Sequence, residues 1–160
     1  MESAPILFVI HLDTSVLVDA LTGPRRSAGA LRDVLNLGER VSISTLVLYE
    51  WLRGPRFESE LAHQEALFPS ENAVPFGAHE ATVAADLYRA VSRGRHREFD
   101  LGVAACALTS GAALWTLNTA DFWDIPGITL FPIGLTYFRD GHSASSLKNM
   151  PKLVLDSIDR

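Results

Sequence analysis

The stretch Ile6-Leu7-Phe8-Val9-Ile10-His11-Leu12-Asp13-Thr14-Ser15-Val16-Leu17-Val18-Asp19-Ala20-Leu21 decides the fold. Its first part, Ile6 to Leu12, is a short apolar run of the kind found in a strand covered on both faces. Asp13-Thr14-Ser15 is then a helix-start signal, and Thr22-Gly23-Pro24 stops the helix it opens. A buried strand therefore delivers Asp13 directly into a helix.

Working outward, the same alternation repeats. Ser27 to Leu37 reads as an amphipathic helix with Ala30, Leu31, Val34 and Leu35 on one side and Gly38 at its end. Val41-Ser42-Ile43 is a second strand, and Ser44-Thr45 caps a helix through Leu52 that Arg53-Gly54-Pro55 closes. Helices follow at Phe57 to Phe68, His79 to Arg93 and Phe99 to Ser110. Ala73 to Phe76 reads as a short edge strand, where an internal proline is tolerated. Ala112 to Thr116 and Ile128 to Phe131 complete the strands. Strands alternating with helices imply a three-layer α/β/α domain with a mostly parallel sheet.

A chain of 160 residues and 17.5 kDa fits one such core, and 48% apolar with 21% charged residues sets disorder aside for most of it. We expect a domain over residues 1–138 and an extension of unknown role over 139–160. The formal charge of −5 excludes a protein that coats nucleic acid by overall basicity, yet leaves room for a basic rim around an acidic site. Cys106, the single cysteine, sits in an apolar run as a buried thiol. Ile6 to Ile10 is too short for a signal core or membrane span, so a soluble cytoplasmic protein is expected.

In open α/β sheets function gathers at the carboxyl ends of the strands. Asp13 ends the first strand, Asp121 follows the Thr116 strand, Asp100 begins the helix leading into it, and Glu50 lies on the helix after strand two. Each has a plain structural reading: Asp13 as an N-cap, Asp100 as a partner of the helix dipole, Asp121 as a turn residue. Glu50, between Tyr49 and Trp51, fits such a reading least, because a carboxylate in an apolar run needs a partner. If the four converge, repulsion raises their pKa values unless a cation sits among them, and the chain has no lysine before Lys148. Hard oxygen ligands suit Mg²⁺ or Mn²⁺, and the five histidines show no ligand spacing. Such an arrangement is suited to metal-assisted phosphodiester hydrolysis.

Arginines supply the rim: Arg25-Arg26 after the first helix, Arg53 and Arg56 after Glu50, and Arg89, Arg93, Arg95 and Arg97 before Asp100. They are sensible phosphate contacts, and could equally receive a partner's acidic groups. Among the tryptophans that could stack on bases, Trp51, Trp115 and Trp123, the second lies in a strand and belongs to the core, while Trp123 is the more exposed candidate.

Four strings, 12–17, 44–54, 99–107 and 114–122, resemble the PIN domain in order and spacing, and in particular the VapC-type ribonuclease toxins of bacterial toxin–antitoxin pairs. The similarity covers residues 6 to about 133. It implies a Mg²⁺- or Mn²⁺-dependent endoribonuclease with one or two ions held by Asp13, Glu50 and Asp100. The fourth position falls in the loop after Thr116, where Asn118 occupies one place and Asp121 the other; we assign Asp121. Thr14, Ser15, Thr116 and Asn118 are supporting polar groups, and Arg53, Arg93, Arg95 and Arg97 contact substrate. The resemblance also implies an RNA substrate, a VapB-like antitoxin and a homodimer built on the helices that begin at Phe57 and His79.

Other classes fit less well. An aspartyl-phosphate mechanism needs an acid where Ser15 stands, and no Gly-rich phosphate loop follows strand one. A PIN-like fold used only to bind RNA or dock a protein is the remaining alternative, and the retained acids favour hydrolysis over it.

Overall fold

Strands β1 (Val9–Leu12), β2 (Arg40–Ser42), β3 (Ala113–Trp115) and β4 (Leu130–Phe131) form one parallel sheet ordered β2-β1-β3-β4. The structure, a computed structural model, describes residues 8–131. Ile6 and Leu7 of the expected first strand, the boundary at 138 and the extension over 139–160 lie outside the described residues.

β1 is central, and Ile10, His11 and Leu12 are all fully buried. Successive side chains of a strand point to opposite faces, so both faces of the sheet are covered at β1. Burial removes His11 from solvent with Nδ1 3.2 Å from Ser42 Oγ, and holds its pKa down at about 4. β1 pairs β2 with His11 opposite Ser42, and pairs β3 with Leu12 opposite Trp115. The chain thus leaves β1 for one neighbour and later returns to the other side, which makes the gap between the ends of β1 and β3 the switch point of the sheet.

Six helices surround it: α1 (Thr14–Leu21), α2 (Ala28–Asn36), α3 (Thr45–Arg53), α4 (Glu58–Leu67), α5 (Ala78–Ala90) and α6 (Glu98–Thr109). Ser44 caps α3 by accepting the Val47 N–H at 3.1 Å. Glu60 and Glu80 reach back to accept the N–H groups of Phe57 and Gly77, which fixes the starts of α4 and α5. α6 is buried from Leu101 to Ala107, and its small residues let α5 and β3 lie close against it. Cys106 is buried there, its thiol pushed up to about 11. The fold is the expected α/β type, with one correction of detail. Residues 73–76 form no strand; Val74 makes a single parallel bridge with Ser44, because the partner chain turns into α3 at Thr45 and the next N–H in line, that of Phe76, goes to Thr45 Oγ1 at 3.0 Å.

Gly94 joins α5 to α6 by close approach. A Cβ there would stand 2.8 Å from Tyr88 Cδ2 and 2.9 Å from the Tyr88 carbonyl oxygen, so backbone as well as ring would have to move. Gly94→Ala should therefore lower the unfolding free energy by about 1–3 kcal/mol in urea titration, with the m-value unchanged.

Candidate active site

Asp13 follows β1, and its N–H donates to the Trp115 carbonyl at 2.9 Å, which extends the β1–β3 ladder by one residue. The next residue of β3's chain is Thr116, so the register that pairs Leu12 with Trp115 sets Asp13 beside Thr116. Thr116 Oγ1 donates to Asp13 Oδ2 at 2.8 Å, and Ser15 Oγ donates to the same oxygen at 2.8 Å. Ser15 Oγ in turn accepts the Leu117 N–H at 3.0 Å, and Thr116 Oγ1 accepts that of Asn118 at 3.0 Å. Asp13 occupies the N-cap position of α1 without a side-chain capping bond, and is only 6% exposed. Its carboxylate is thus spent on neither the helix nor bulk water. Oδ2 takes both hydroxyls, and Oδ1 has no hydrogen bond among the described residues.

A cavity of about 450 Å³ opens at this switch point, with Asp13, Thr14, Ser15, Glu50, Asp100 and Asn118 in its wall. Glu50 reaches it from α3 and pairs with Arg53 at 3.3 Å. Asp100 reaches it from the first turn of α6. The Asp100 carboxyl is raised to about 6, first by burial and then by the charges of Asp13, Asp121 and Glu50, with Arg97 acting in the opposite sense. The four acids expected from the sequence are therefore neighbours in space. Asp121 sits on an exposed 3-10 turn (Thr119–Asp121), outside the cavity wall, whereas Asn118 forms part of that wall.

The carboxylates do not close on a point: among the described residues no group of three or more His, Cys, Asp or Glu side chains converges as a metal cage. The donor set nevertheless fits a hard divalent ion in its chemistry. All its ligand-type atoms are oxygens, their charges repel, and Thr14 Oγ1, buried in the same wall, has no hydrogen-bond partner among the described residues.

The arginines divide. Arg53 is half-exposed beside Glu50, and Arg93 and Arg95 are exposed in the turn before α6 without lining the cavity. Arg97 is no open phosphate arm, because its guanidinium is engaged by Asp124 and by the Asp121 carbonyl. Arg56 lies folded over the Trp51 ring at 4.3 Å. Trp51 is fully buried and Trp115 nearly so, which removes both as base-stacking surfaces, while Trp123 is exposed.

One carboxylate in the wall escaped the sequence reading. Asp19 accepts Ser27 Oγ at 2.6 Å and Arg26 Nε at 3.2 Å, and both bonds lower its pKa. Asp19 stands four residues after Ser15 on α1, and that i, i+4 spacing was the available signal for a shared face. Arg26 lines the cavity with it.

Two groups here titrate in opposite senses. Asp100 has a folded pKa near 6 against 3.8, so the folded protein takes up that proton first and gains stability as pH falls from 6 toward 4. His11 has a folded pKa near 4 against 6.5, so the unfolded chain takes up its proton first and the fold loses up to about 3 kcal/mol over the same range. Asp100→Asn should thus raise metal-free stability at pH 7.5 by about 1 kcal/mol, after discounting for screening at a half-buried carboxyl. It should also steepen the loss between pH 6.5 and 4, read by urea unfolding at each pH.

Comparison with known proteins agrees with this geometry. The sequence matches the PIN domain family over residues 10–126. It is 35% identical over 120 residues to Ribonuclease VapC19 of Mycobacterium tuberculosis, covering 73% of this chain and 94% of that protein. The structure resembles a DNA-bound VapBC complex from Salmonella typhimurium with a TM-score of 0.62 at 22% identity, covering 76% of this chain and 96% of that one. It also resembles a toxin–antitoxin complex from Klebsiella pneumoniae with a TM-score of 0.58 at 25% identity, covering 74% and 94% respectively. This chain belongs to the PIN domain family, within it to the group that holds the VapC proteins.

Proposed function

We propose that the protein is a metal-dependent endoribonuclease that hydrolyses RNA phosphodiester bonds and acts as the toxin of a toxin–antitoxin pair. The observation that carries this reading is the meeting of Asp13, Glu50 and Asp100 in one cavity at the sheet's switch point, each charge felt at Asp100. The name of the VapC19 relative supports the activity, and the VapBC and toxin–antitoxin complexes support a VapB-like partner.

Asp13, Glu50 and Asp100 are the residues that would hold Mg²⁺, or Mn²⁺ in its place, with Asp121 or Asn118 at a fourth position. A bound ion of this kind supplies Lewis acidity toward a phosphate oxygen and acidifies water. The chain's own residues prepare that site. Ser15 and Thr116 hold Asp13 through Oδ2 and leave Oδ1 without a hydrogen bond among the described residues. The Glu50–Arg53 pair is a partly exposed ion pair worth about 0–1 kcal/mol, so Glu50 can exchange it for a better cation and release Arg53 to a substrate phosphate. Arg93 and Arg95, exposed in the turn before α6, are further proposed phosphate contacts.

An antitoxin would occlude the cavity, and exposed Phe57, Leu67 and Tyr88 offer apolar area for a homodimer on α4 and α5. Among the described residues no helix is long and apolar enough to cross a membrane. A cytoplasmic location is part of this reading, since that is where tRNA and rRNA lie.

Purified protein incubated with a tRNA and rRNA pool should give discrete fragments with Mg²⁺ or Mn²⁺ and none with EDTA. Asp100→Asn should reduce the rate by more than the roughly 10–100-fold typical of outer-shell changes. RNA bound but uncut in the presence of Mn²⁺ would instead mark a non-catalytic binding module. In thermal melts Mn²⁺ should raise the midpoint of the native protein, and the shift should vanish in Asp100→Asn.

A further inference from the structure

The loop after β3 carries Asn118 and Asp121, and residues 117–121 are all exposed. Its first N–H groups, those of Leu117 and Asn118, donate to Ser15 Oγ and Thr116 Oγ1, and beyond them the backbone bonds are local: Asp121 N–H to the Asn118 carbonyl, Phe122 N–H to that of Thr119, Ile125 N–H to that of Phe122. A short turn of this kind does not hold a side chain to a fraction of an ångström unless something distant ties it down.

Arg97 is that tie. It occupies the N-cap position of α6, three residues before Asp100, and its side chain is only 18% exposed. Nη1 donates to Asp124 Oδ2 at 2.9 Å, while Nη2 donates to Asp124 Oδ1 at 2.6 Å and to the Asp121 carbonyl oxygen at 2.6 Å. The planar fork spans 24 and 27 residues of chain to these two partners. His96 adopts a φ of 71° immediately before it, a left-handed conformation in which histidine is enriched, and so turns the chain into α6.

We propose that Arg97 is a positioning residue, not a substrate contact: its fork fastens the 118–124 turn to the first turn of α6, and thereby sets Asp121 and Asn118 against Asp100. Asp124 serves to aim that fork. The inference rests on the nuclease reading for its catalytic consequence, but the tie itself is independent of it. Electrostatics agree, since Arg97 lowers the Asp100 pKa while Asp100, Asp121 and Asp124 each favour the charged guanidinium. Lysine cannot substitute, because a single ammonium does not reproduce a bidentate fork with a third acceptor.

Asp124→Asn separates this proposal from a phosphate contact. If Arg97 held phosphate, loss of the Asp124 charge would free the guanidinium and tighten RNA binding. Under the proposal Asp124→Asn and Arg97→Gln each lower kcat about tenfold or more, with KM for RNA within about twofold and the salt dependence of RNA binding unchanged. Arg97→Lys fails to rescue, and the double variant loses no more than either single one. Native-state hydrogen exchange is the second arm: the Asp121 and Phe122 amides exchange at least about tenfold faster in both variants, while those of α6 from Ala104 to Leu108 keep their protection. Native kcat in Asp124→Asn, a raised KM with a shallower salt slope in Arg97→Gln, or unchanged exchange at Asp121 overturns the proposal. If the native protein cuts no RNA, the nuclease reading fails and the exchange arm alone decides whether Arg97 is the tie.

Discussion

The hydrogen bond from Thr116 Oγ1 to Asp13 Oδ2 joins the two central strands where they end, and the rest of the site is arranged around it. A carboxylate that is 6% exposed has to replace the water it has lost. Here two hydroxyls do so, one from the end of each strand's chain, and each hydroxyl also accepts an N–H of the loop after β3. A single buried acid thus fixes the start of α1, the register of β1 on β3 and the first residues of the loop that bears Asn118.

Around this anchor the electrostatics are unfavourable by design of position. Asp100 and Glu50 are brought to the same cavity by α6 and α3, and burial first, then the charges of Asp13, Asp121 and Glu50, raise the Asp100 carboxyl to about 6. Like charges gathered at a helix start and a strand end do not stabilise a fold. The chain offsets part of the repulsion locally, with Arg53 on Glu50, Arg97 near Asp100 and Arg26 on Asp19. The arginines nearest the acids therefore act as counter-charges, and one of them, Arg97, also ties down a loop.

Much of this was legible in the residues themselves. An apolar run ending in Asp13-Thr14-Ser15 fixes a strand and a helix start through periodicity and capping chemistry, which are local properties. Glu50 stood out because an acid inside an apolar helix needs a partner, and Arg53 is that partner. Asp19 was missed because its neighbours at Ser27 and Arg26 belong to the next turn and helix, so no local pattern announces their contact. Trp51 as a base-stacking surface and Arg56 as part of the rim were expected for a related reason: residue type alone does not tell a surface side chain from a packed one, and only packing reveals that the ring is buried beneath the guanidinium.

By itself the sequence determined the alternation of elements, the parallel α/β class and the identity of the acids at the strand ends, because each follows from side-chain period and hydrogen-bonding type within about ten residues of chain. Tertiary structure alone decided which acids share a cavity, that Asp13 Oδ2 accepts from Thr116 across the sheet in place of a helix cap, and that Arg97 reaches across to Asp121 and Asp124. Those facts depend on strand register and on how α6 packs beside β3. Such contacts join residues 24 to 103 positions apart, where a one-dimensional pattern carries no distance.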